Sequence, residues 1–211
     1  MLLEIQDAGF EIVKIFTTIP LNPIIQNPHE EISNKELNQV SAFTTPHELV
    51  ALVKMKPKPS EPLNSLGLII GLDNIQDPGN LGAILRSAEW FGAQGILCSN
   101  DTVDLYNSKV IQASMGGIAR QRVDHTNLET AIGELKKTHT IIGTTLTGTS
   151  VYNFKWPENS VLLIGNEAAG LNEKYDSLSD EHITIPSFGN LDSLNAAVAC
   201  SILCSEYRRQ H

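Results

Sequence analysis

The sequence lacks any apolar run long enough to cross a membrane. Its longest such runs, "LGLIIGL" and "AAVACSILC", fall far short of the roughly 20 residues that a spanning helix needs. The first residues also lack a basic stretch followed by an apolar run and a small-residue cleavage site, so no secretory signal is visible. These absences predict a protein of the cytoplasm with no membrane partner.

Cysteine is scarce as well. The chain has three, Cys98, Cys200 and Cys204, which is an odd number without the spacing of a metal site. Cys200 and Cys204 lie four residues apart in a helical pattern, where a zinc-binding pair is one interpretation and buried thiols are the favoured one. We therefore expect reduced cysteines and no bound metal.

Basic residues are outnumbered, with 15 lysines and arginines against 24 acidic residues and a net charge of -9. This balance argues mildly against a nucleic-acid partner, because phosphate binding normally depends on a basic surface. A local patch is still compatible with it. Lys54, Lys56 and Lys58 alternate through "VKMKPKP" and are candidate RNA-binding residues, although a solvated surface would have the same pattern.

The chain has 211 residues, 41% of them apolar and 18% charged, which is typical of a globular protein with one large core and a small appendage. Prolines and lysines interrupt the pattern near "KMKPKPSEPLN". We predict a small α/β domain at residues 1–56, a linker at 57–65 and a larger domain at 66–211. The small domain contains two strand-like segments and a capping-box helix start at Ser33 and Glu36. Its opening "LLEIQDAG" is typical of a helix end stopped by Gly9, so we expect this domain to lack its beginning.

In the larger domain, apolar strand-like runs alternate with helical stretches: "LGLIIGLD", "GILCS", "RQRVDH", "TIIGTTL", "SVLLIG" and "HITIP". This alternation predicts an α/β fold, a mainly parallel sheet with helices on both faces. In such sheets, binding and catalytic residues usually lie in the loops beyond the carboxyl ends of the strands. Neither the G-x-G-x-x-G dinucleotide fingerprint nor the P-loop pattern is present.

Three of these loops are unusual, and the first is "LDNIQDPGNLGAILRSAEWFG", residues 72–92. Asp77 is a candidate N-cap and Pro78 a candidate first-turn residue of a helix that ends at Gly92. The apolar residues of this helix recur at helical spacing, and Arg86 falls off that apolar face. A capped helix with a surface arginine and a site that presents polar groups are equally compatible with this stretch alone.

The second loop, "LLIGNEAAGLNE", places Glu167 just after a buried strand, where its carboxylate can orient ligand hydroxyls or simply cap the next helix. The third loop is "ITIPSFGNLDSLNAAVACSILCSEYRR". Ser193 is a candidate N-cap there. Asn195 is expected just inside the helix, where asparagine has less structural use because it competes with the backbone for hydrogen bonds.

Together these loops resemble the three motifs of the SpoU/TrmH family of RNA 2'-O-ribose methyltransferases, as "DNIQDPGNLGAILRSAEWFG", "GNEAAGL" and "IPSFGNLDSLNAAVA". The resemblance covers about residues 66 to 209. Family members usually have a methionine after the Ile-Pro pair, where this sequence has Ser187. This departure concerns the wall of the cofactor pocket. The first domain resembles, more weakly, the small RNA-binding domain often fused ahead of this catalytic domain.

The resemblance implies methyl transfer from S-adenosylmethionine to a ribose 2'-hydroxyl of ribosomal or transfer RNA. The positions that match the family's polar site residues are Asn80, Arg86, Glu167, Ser193 and Asn195. The positions whose backbone would surround the cofactor are Thr144, Gly165, Ile185 and Leu194. Arg86 matches an arginine proposed to assist deprotonation of the hydroxyl. Because a guanidinium stays protonated, we favour a role in orienting an RNA phosphate.

The same resemblance implies a C-terminal trefoil knot and a homodimer with the cofactor cleft near its interface. Two alternatives are retained: an RNA- or cofactor-binding module of this fold without catalysis, and a methyltransferase acting on a small molecule.

Overall fold

The computed structural model describes residues 2–43, 47–57 and 59–211. The chain divides into two compact units, one up to residue 58 and one from residue 59 to 211. The division falls inside the proline- and lysine-rich stretch that interrupts the sequence pattern.

The first unit is a three-stranded sheet with two helices. Its elements are α1 (Leu2–Asp7), β1 (Ile12–Thr17), β2 (His29–Glu31), α2 (Asn34–Val40) and β3 (Leu49–Val53). The strand order is β2-β1-β3, with β1 parallel to β2 and antiparallel to β3. The predicted capping box is confirmed, because Ser33 accepts from the Glu36 backbone while the Glu36 carboxylate accepts from Ser33. Gly9, with a φ of +77°, follows α1 as expected.

The second unit contains six strands and six helices among its described residues. They are β4 (Leu68–Leu72), α3 (Pro78–Trp90), β5 (Gly95–Cys98), α4 (Ser108–Ser114), α5 (Gly117–Arg120), β6 (Val123–His125), α6 (Leu128–Leu135), β7 (Thr140–Ser150), β8 (Ser160–Ile164), α7 (Glu173–Asp176), β9 (Glu181–Thr184) and α8 (Ala196–Gln210).

These strands form one sheet in the order β6-β5-β4-β8-β7-β9, and every neighbouring pair is parallel. Alternate residues of β4 point to opposite faces, as a strand requires. Leu68 and Ile70 pack with α3 and α8 in one core, and Ile69 packs with α6 in the other. The predicted parallel sheet with helices on both faces is confirmed.

Residues of the predicted linker pack on this second unit. Leu63 is buried, and a side chain at Gly95 would collide with it. The Arg122 guanidinium donates to the carbonyl of Glu61. The stretch from residue 61 therefore contributes to the core of the unit that follows it.

The three cysteines are free and buried, which confirms the interpretation as buried thiols. Burial, assisted by the negative charge of Asp124, raises the pKa of Cys98 to about 12. The pKa of Cys200 is also raised, by its hydrogen bond with Cys204 and by burial. Within the described residues, no helix combines the length and the apolar character needed to cross a bilayer.

Candidate active site

A cavity of about 720 Å³ opens where β8 and β9 end, beside the middle of β7. It is lined by three segments of the second unit: residues 144–146, residues 164–170, and residues between 183 and 203. The carboxyl ends of parallel strands meet at one edge of a sheet, so loops far apart in sequence converge there. The volume is within the range of ordinary small-molecule and cofactor sites.

All four predicted cofactor positions, Thr144, Gly165, Ile185 and Leu194, line this one cavity. Within the described part of the chain, the backbone groups of Gly165, Ile185 and Leu194 form no hydrogen bond. Polar backbone groups in a cleft are normally paired, so these are available to a ligand. Thr144 differs, because its hydroxyl donates to the carbonyl of Leu163 at 2.8 Å.

An interruption in the pairing of β7 and β9 shapes one side of the cavity. Thr144 and Thr149 both pair with Ile183, so the residues between them project from the sheet. Leu146 belongs to this projection and is largely exposed at the cavity. The sequence predicted a strand here and did not predict its interruption.

Asn166 organises the loop after β8. Its side-chain oxygen accepts from the backbone of Ala168 at 2.9 Å and of Ala169 at 3.2 Å, and its amide donates to the carbonyl of Asn74 at 3.0 Å. Its backbone forms an isolated bridge with Gly170. The loop after β4 is thereby joined to the loop after β8. No role for Asn166 was predicted from the sequence.

Asp73 makes a second connection between these loops. This largely buried carboxylate accepts from the backbone N–H of Asn172 at 2.8 Å. Burial raises the pKa of Asp73, and the hydrogen bond from Asn172 partly opposes that shift. The only hint in the sequence was a carboxylate directly after a buried strand.

The helix of the first motif, α3, begins as predicted. Asp77 accepts from the backbone N–H of Asn80 at 2.8 Å, and Pro78 occupies the first turn. Leu81, Leu85 and Ala88 are buried on its inner face. Gly92, with a φ of +68°, ends the helix.

Three predicted polar residues form a hydrogen-bonded chain. The Asn80 amide donates to the carboxylate of Glu167, and the Asn195 amide donates to the side-chain oxygen of Asn80 at 2.7 Å. The side-chain oxygen of Asn195 also accepts from the backbone of Ala197 at 3.0 Å and of Val198 at 3.2 Å.

The expected position of Asn195 inside the helix was therefore wrong. It is the N-cap of α8, and Ser193 is not. Ser193 instead lies exposed at the cavity, without a side-chain hydrogen bond to the described residues. The sequence was ambiguous because serine and asparagine are both good N-caps and only one residue separates them.

Arg86 lies apart from this arrangement. It is exposed and does not line the cavity, and its guanidinium has no hydrogen bond or ion pair with the described residues. Gly117 approaches the backbone of Arg86 so closely that an added Cβ would be 3.3 Å from its Cα. The start of α5 therefore packs closely against the backbone of α3 at Arg86.

Ser187 and Phe188 lie at the mouth of the cavity. The Ser187 hydroxyl donates to the carbonyl of Gly189 at 3.3 Å, so it turns back on its own loop. Phe188 is 93% exposed. The charged residues that line the cavity, Glu167 and Asp192, are both acidic, which favours a ligand carrying positive charge.

The three predicted RNA-binding lysines belong to the first unit. The Lys54 ammonium is 3.1 Å from the carboxylate of Glu11, and Lys56 donates to the carbonyl of Ala8 at 2.6 Å. Both ammonium groups are exposed, so such pairing is weak. Lys58 lies outside the described residues. Among the described residues no group of three or more histidine, cysteine or acidic side chains is arranged to hold a metal ion.

Comparison with known proteins gives a consistent assignment. Residues 67–205 match the model of the SpoU rRNA Methylase family. The 23S rRNA (guanosine(2553)-2'-O)-methyltransferase RlmP of Bacillus subtilis is 30% identical over 179 residues, which cover 84% of this chain and 71% of that protein. The chain spans between 50% and 74% of the length of eight curated relatives that it matches.

Two solved structures are similar throughout. A protein assigned to the TrmH family of RNA methyltransferases from Porphyromonas gingivalis superposes with a TM-score of 0.88 at 30% identity, over 100% of this chain and 87% of its own. The AdoMet-bound rRNA methyltransferase from Sinorhizobium meliloti superposes with a TM-score of 0.84 at 25% identity, over 98% of this chain and 83% of its own.

Proposed function

Because the chain belongs to the SpoU rRNA methylase family, we propose that it transfers a methyl group from S-adenosylmethionine to a ribose 2'-hydroxyl of RNA. One observation carries the proposal: four positions that match the family's cofactor-binding backbone line a single cavity of cofactor size. The relatives that support it include one named as acting on 23S rRNA and one solved with AdoMet.

The residues present fit this cofactor. Unpaired backbone groups at Gly165, Ile185 and Leu194 can recognise the edge of an adenine, and apolar side chains can hold its faces. Glu167 and Asp192 give the cavity a negative charge that suits a sulfonium. When bound, S-adenosylmethionine supplies the methyl group that is transferred.

The residues of the chain position the ribose for this reaction. A 2'-hydroxyl is a poor nucleophile at neutral pH, so it must lose its proton while approaching the methyl carbon in line. We assign to Arg86 the binding of the RNA phosphate next to that ribose, because a guanidinium makes a planar two-pronged contact and stays protonated. Its side chain is exposed and has no hydrogen bond or ion pair with the residues that the structure describes, which suits this role. Ser193, exposed at the cavity, is assigned to the ribose.

We propose a homodimer as the active form. Large apolar side chains are exposed on α3 and at the start of α8, with Trp90 83% exposed and Leu194 and Val198 also accessible. Exposed apolar surface of this kind is typical of an interface. Arg86 lies one helical turn before Trp90. A second subunit bound to this apolar surface would therefore lie next to the Arg86 side chain. Light scattering that finds a monomer for wild type would contradict the dimer.

Two further assignments complete the proposal. The first unit, with Lys54, Lys56 and Lys58, captures RNA in the cytoplasm. The C-terminal part of the second unit forms the trefoil knot that the family resemblance implies. A crystal structure in which the backbone path contains no knot would contradict this assignment.

The decisive experiment is mass spectrometry of nucleosides from RNA incubated with the full chain and S-adenosylmethionine. A 2'-O-methylated nucleoside is the expected product. Cofactor binding in calorimetry without methyl transfer to any RNA would indicate a binding module instead. Consumption of cofactor with a methylated small molecule and unmodified RNA would indicate a different methyltransferase.

A further inference from the structure

The side chain of Asn80 is occupied by protein groups. Its amide donates to the carboxylate of Glu167, and its oxygen accepts from the amide of Asn195 at 2.7 Å. The backbone N–H of Asn80 is held by Asp77. An asparagine side chain can accept two hydrogen bonds and donate two, so half of its hydrogen-bonding capacity is used before any substrate arrives.

Its two partners lie on the two loops that form the cavity. Glu167 belongs to residues 165–171, and Asn195 follows directly on Ser193 and Leu194 at the start of α8. In the described part of the chain these two loops make no direct hydrogen bond with each other. Asn80 joins them from the first turn of a third element, α3.

We propose that Asn80 is a positioning residue that holds the two cavity loops together and thereby sets the affinity for the cofactor, a role that rests on the proposed function. It does not contact the target nucleotide. Loops that must be ordered on binding cost conformational entropy, so a preformed link between them tightens binding without touching the ligand. Loss of the link should weaken cofactor binding about tenfold or more, since a hydrogen bond to a charged group is removed.

A charge exchange tests this assignment. In Asn80→Asp the new carboxylate still accepts a hydrogen bond from Asn195. It cannot donate one to the carboxylate of Glu167, and the two negative charges repel each other. Glu167→Gln alone keeps an acceptor for Asn80. In the double variant the amide introduced at position 167 donates to the carboxylate introduced at position 80, so the link is restored with donor and acceptor reversed.

Wild type, the two single variants and the double variant form a double-mutant cycle. Calorimetry on the full chain measures the affinity of each of these four proteins for S-adenosylmethionine. We expect Asn80→Asp to weaken binding at least about tenfold in the wild-type background and less than about threefold in the Glu167→Gln background. Asn64→Asp is the matched control. Asn64 is exposed and precedes the amino end of β4, at the opposite edge of the sheet, and it should leave affinity unchanged.

Amide hydrogen exchange without cofactor provides an independent measurement. Protection of residues 165–171 and 187–195 should fall in Asn80→Asp and recover in the double variant. Equal losses of affinity in both backgrounds, or normal affinity with loss of RNA methylation only, would overturn the assignment. A wild-type chain that binds no S-adenosylmethionine would count against the proposed function, while exchange would still decide whether Asn80 links the loops.

Discussion

Gly165→Ala tests whether the close approach of two loop segments forms the cofactor cavity. Gly165 directly follows β8, and a Cβ there would lie well inside 3.0 Å of the backbone of Gly170 and Leu171, a distance that real Cβ atoms essentially never show. Backbone atoms cannot rotate away as a side chain can. The loop must therefore open by about 1 Å to restore ordinary packing distances.

That opening is opposed by the hydrogen bonds that hold the loop. Asn166 is hydrogen-bonded to Asn74, and Asn172 to Asp73, so the loop cannot open without straining these hydrogen bonds. Overpacking of this kind costs about 1–3 kcal/mol. If the strain is relieved by displacing the backbone that faces the ligand, affinity for S-adenosylmethionine should fall about 10- to 100-fold. Calorimetry and thermal unfolding on the same preparation measure both effects.

Gly133→Ala is the matched control. Gly133 is an exposed residue of α6, and an added Cβ would meet nothing within 4 Å. Alanine in a helix interior should stabilise the protein by about 0.5–1 kcal/mol and leave cofactor affinity unchanged. Wild-type affinity and an unchanged unfolding temperature in Gly165→Ala would refute the reasoning.

Other perturbations separate the remaining assignments. Arg86→Ala should reduce turnover by about 100-fold or more with cofactor affinity unchanged, and Arg86→Lys should restore little, because the guanidinium acts mainly in the transition state; normal turnover in a methyl-transfer assay would refute this role. Changing Lys54, Lys56 and Lys58 to glutamine should weaken RNA binding and make the plot of log affinity against log salt concentration less steep, by about 0.7–0.9 for each RNA phosphate that is no longer neutralised. Filter binding at several salt concentrations measures this slope, and an unchanged slope would remove these lysines from the RNA surface. Burial raises the pKa of Asp73, so its carboxyl group stays protonated to a higher pH in the folded protein than in the unfolded chain. The free energy of unfolding therefore falls as the pH rises above the ordinary range of an aspartate. Asp73→Asn should therefore unfold at a higher temperature than wild type at pH 7, with the difference shrinking as the pH falls below the ordinary range of an aspartate; a difference that grows with acidity would contradict the assignment.

Local rules account for what the sequence predicted correctly. The start of α3 depends on Asp77 and Pro78, which lie within one turn of the groups they satisfy. The presence of the strands and their parallel pairing follow from continuous apolar runs that alternate with helical stretches, and parallel strands bring their following loops to one edge. This is why Gly165, in the loop after β8, and Ile185 and Leu194, in the loop after β9, line one cavity.

What the sequence did not predict depends on pairs far apart in the chain. Asn195 and Asn80 are separated by 115 residues, and Asn172 and Asp73 by 99. No periodicity links such positions. The strand β2 was not predicted because its three residues, His29–Glu31, are all polar and exposed and contain no apolar residue that would mark a strand. Whether Arg86 reaches a cavity cannot be read from its helix, since helical spacing only places it on the exposed side.

The buried cysteines make local opening of the second unit measurable without any introduced label. A thiolate attacks a disulfide reagent, whereas a protonated thiol does not. Burial raises the pKa of Cys98, and the hydrogen bond with Cys204 together with burial raises that of Cys200, so both should react only when their surroundings open. Cys200 and Cys204 lie on α8, whereas Cys98 ends β5 within the sheet. Under mildly destabilising conditions, modification of the α8 pair ahead of Cys98 would mean that the C-terminal helix separates from the sheet before the rest of the unit unfolds.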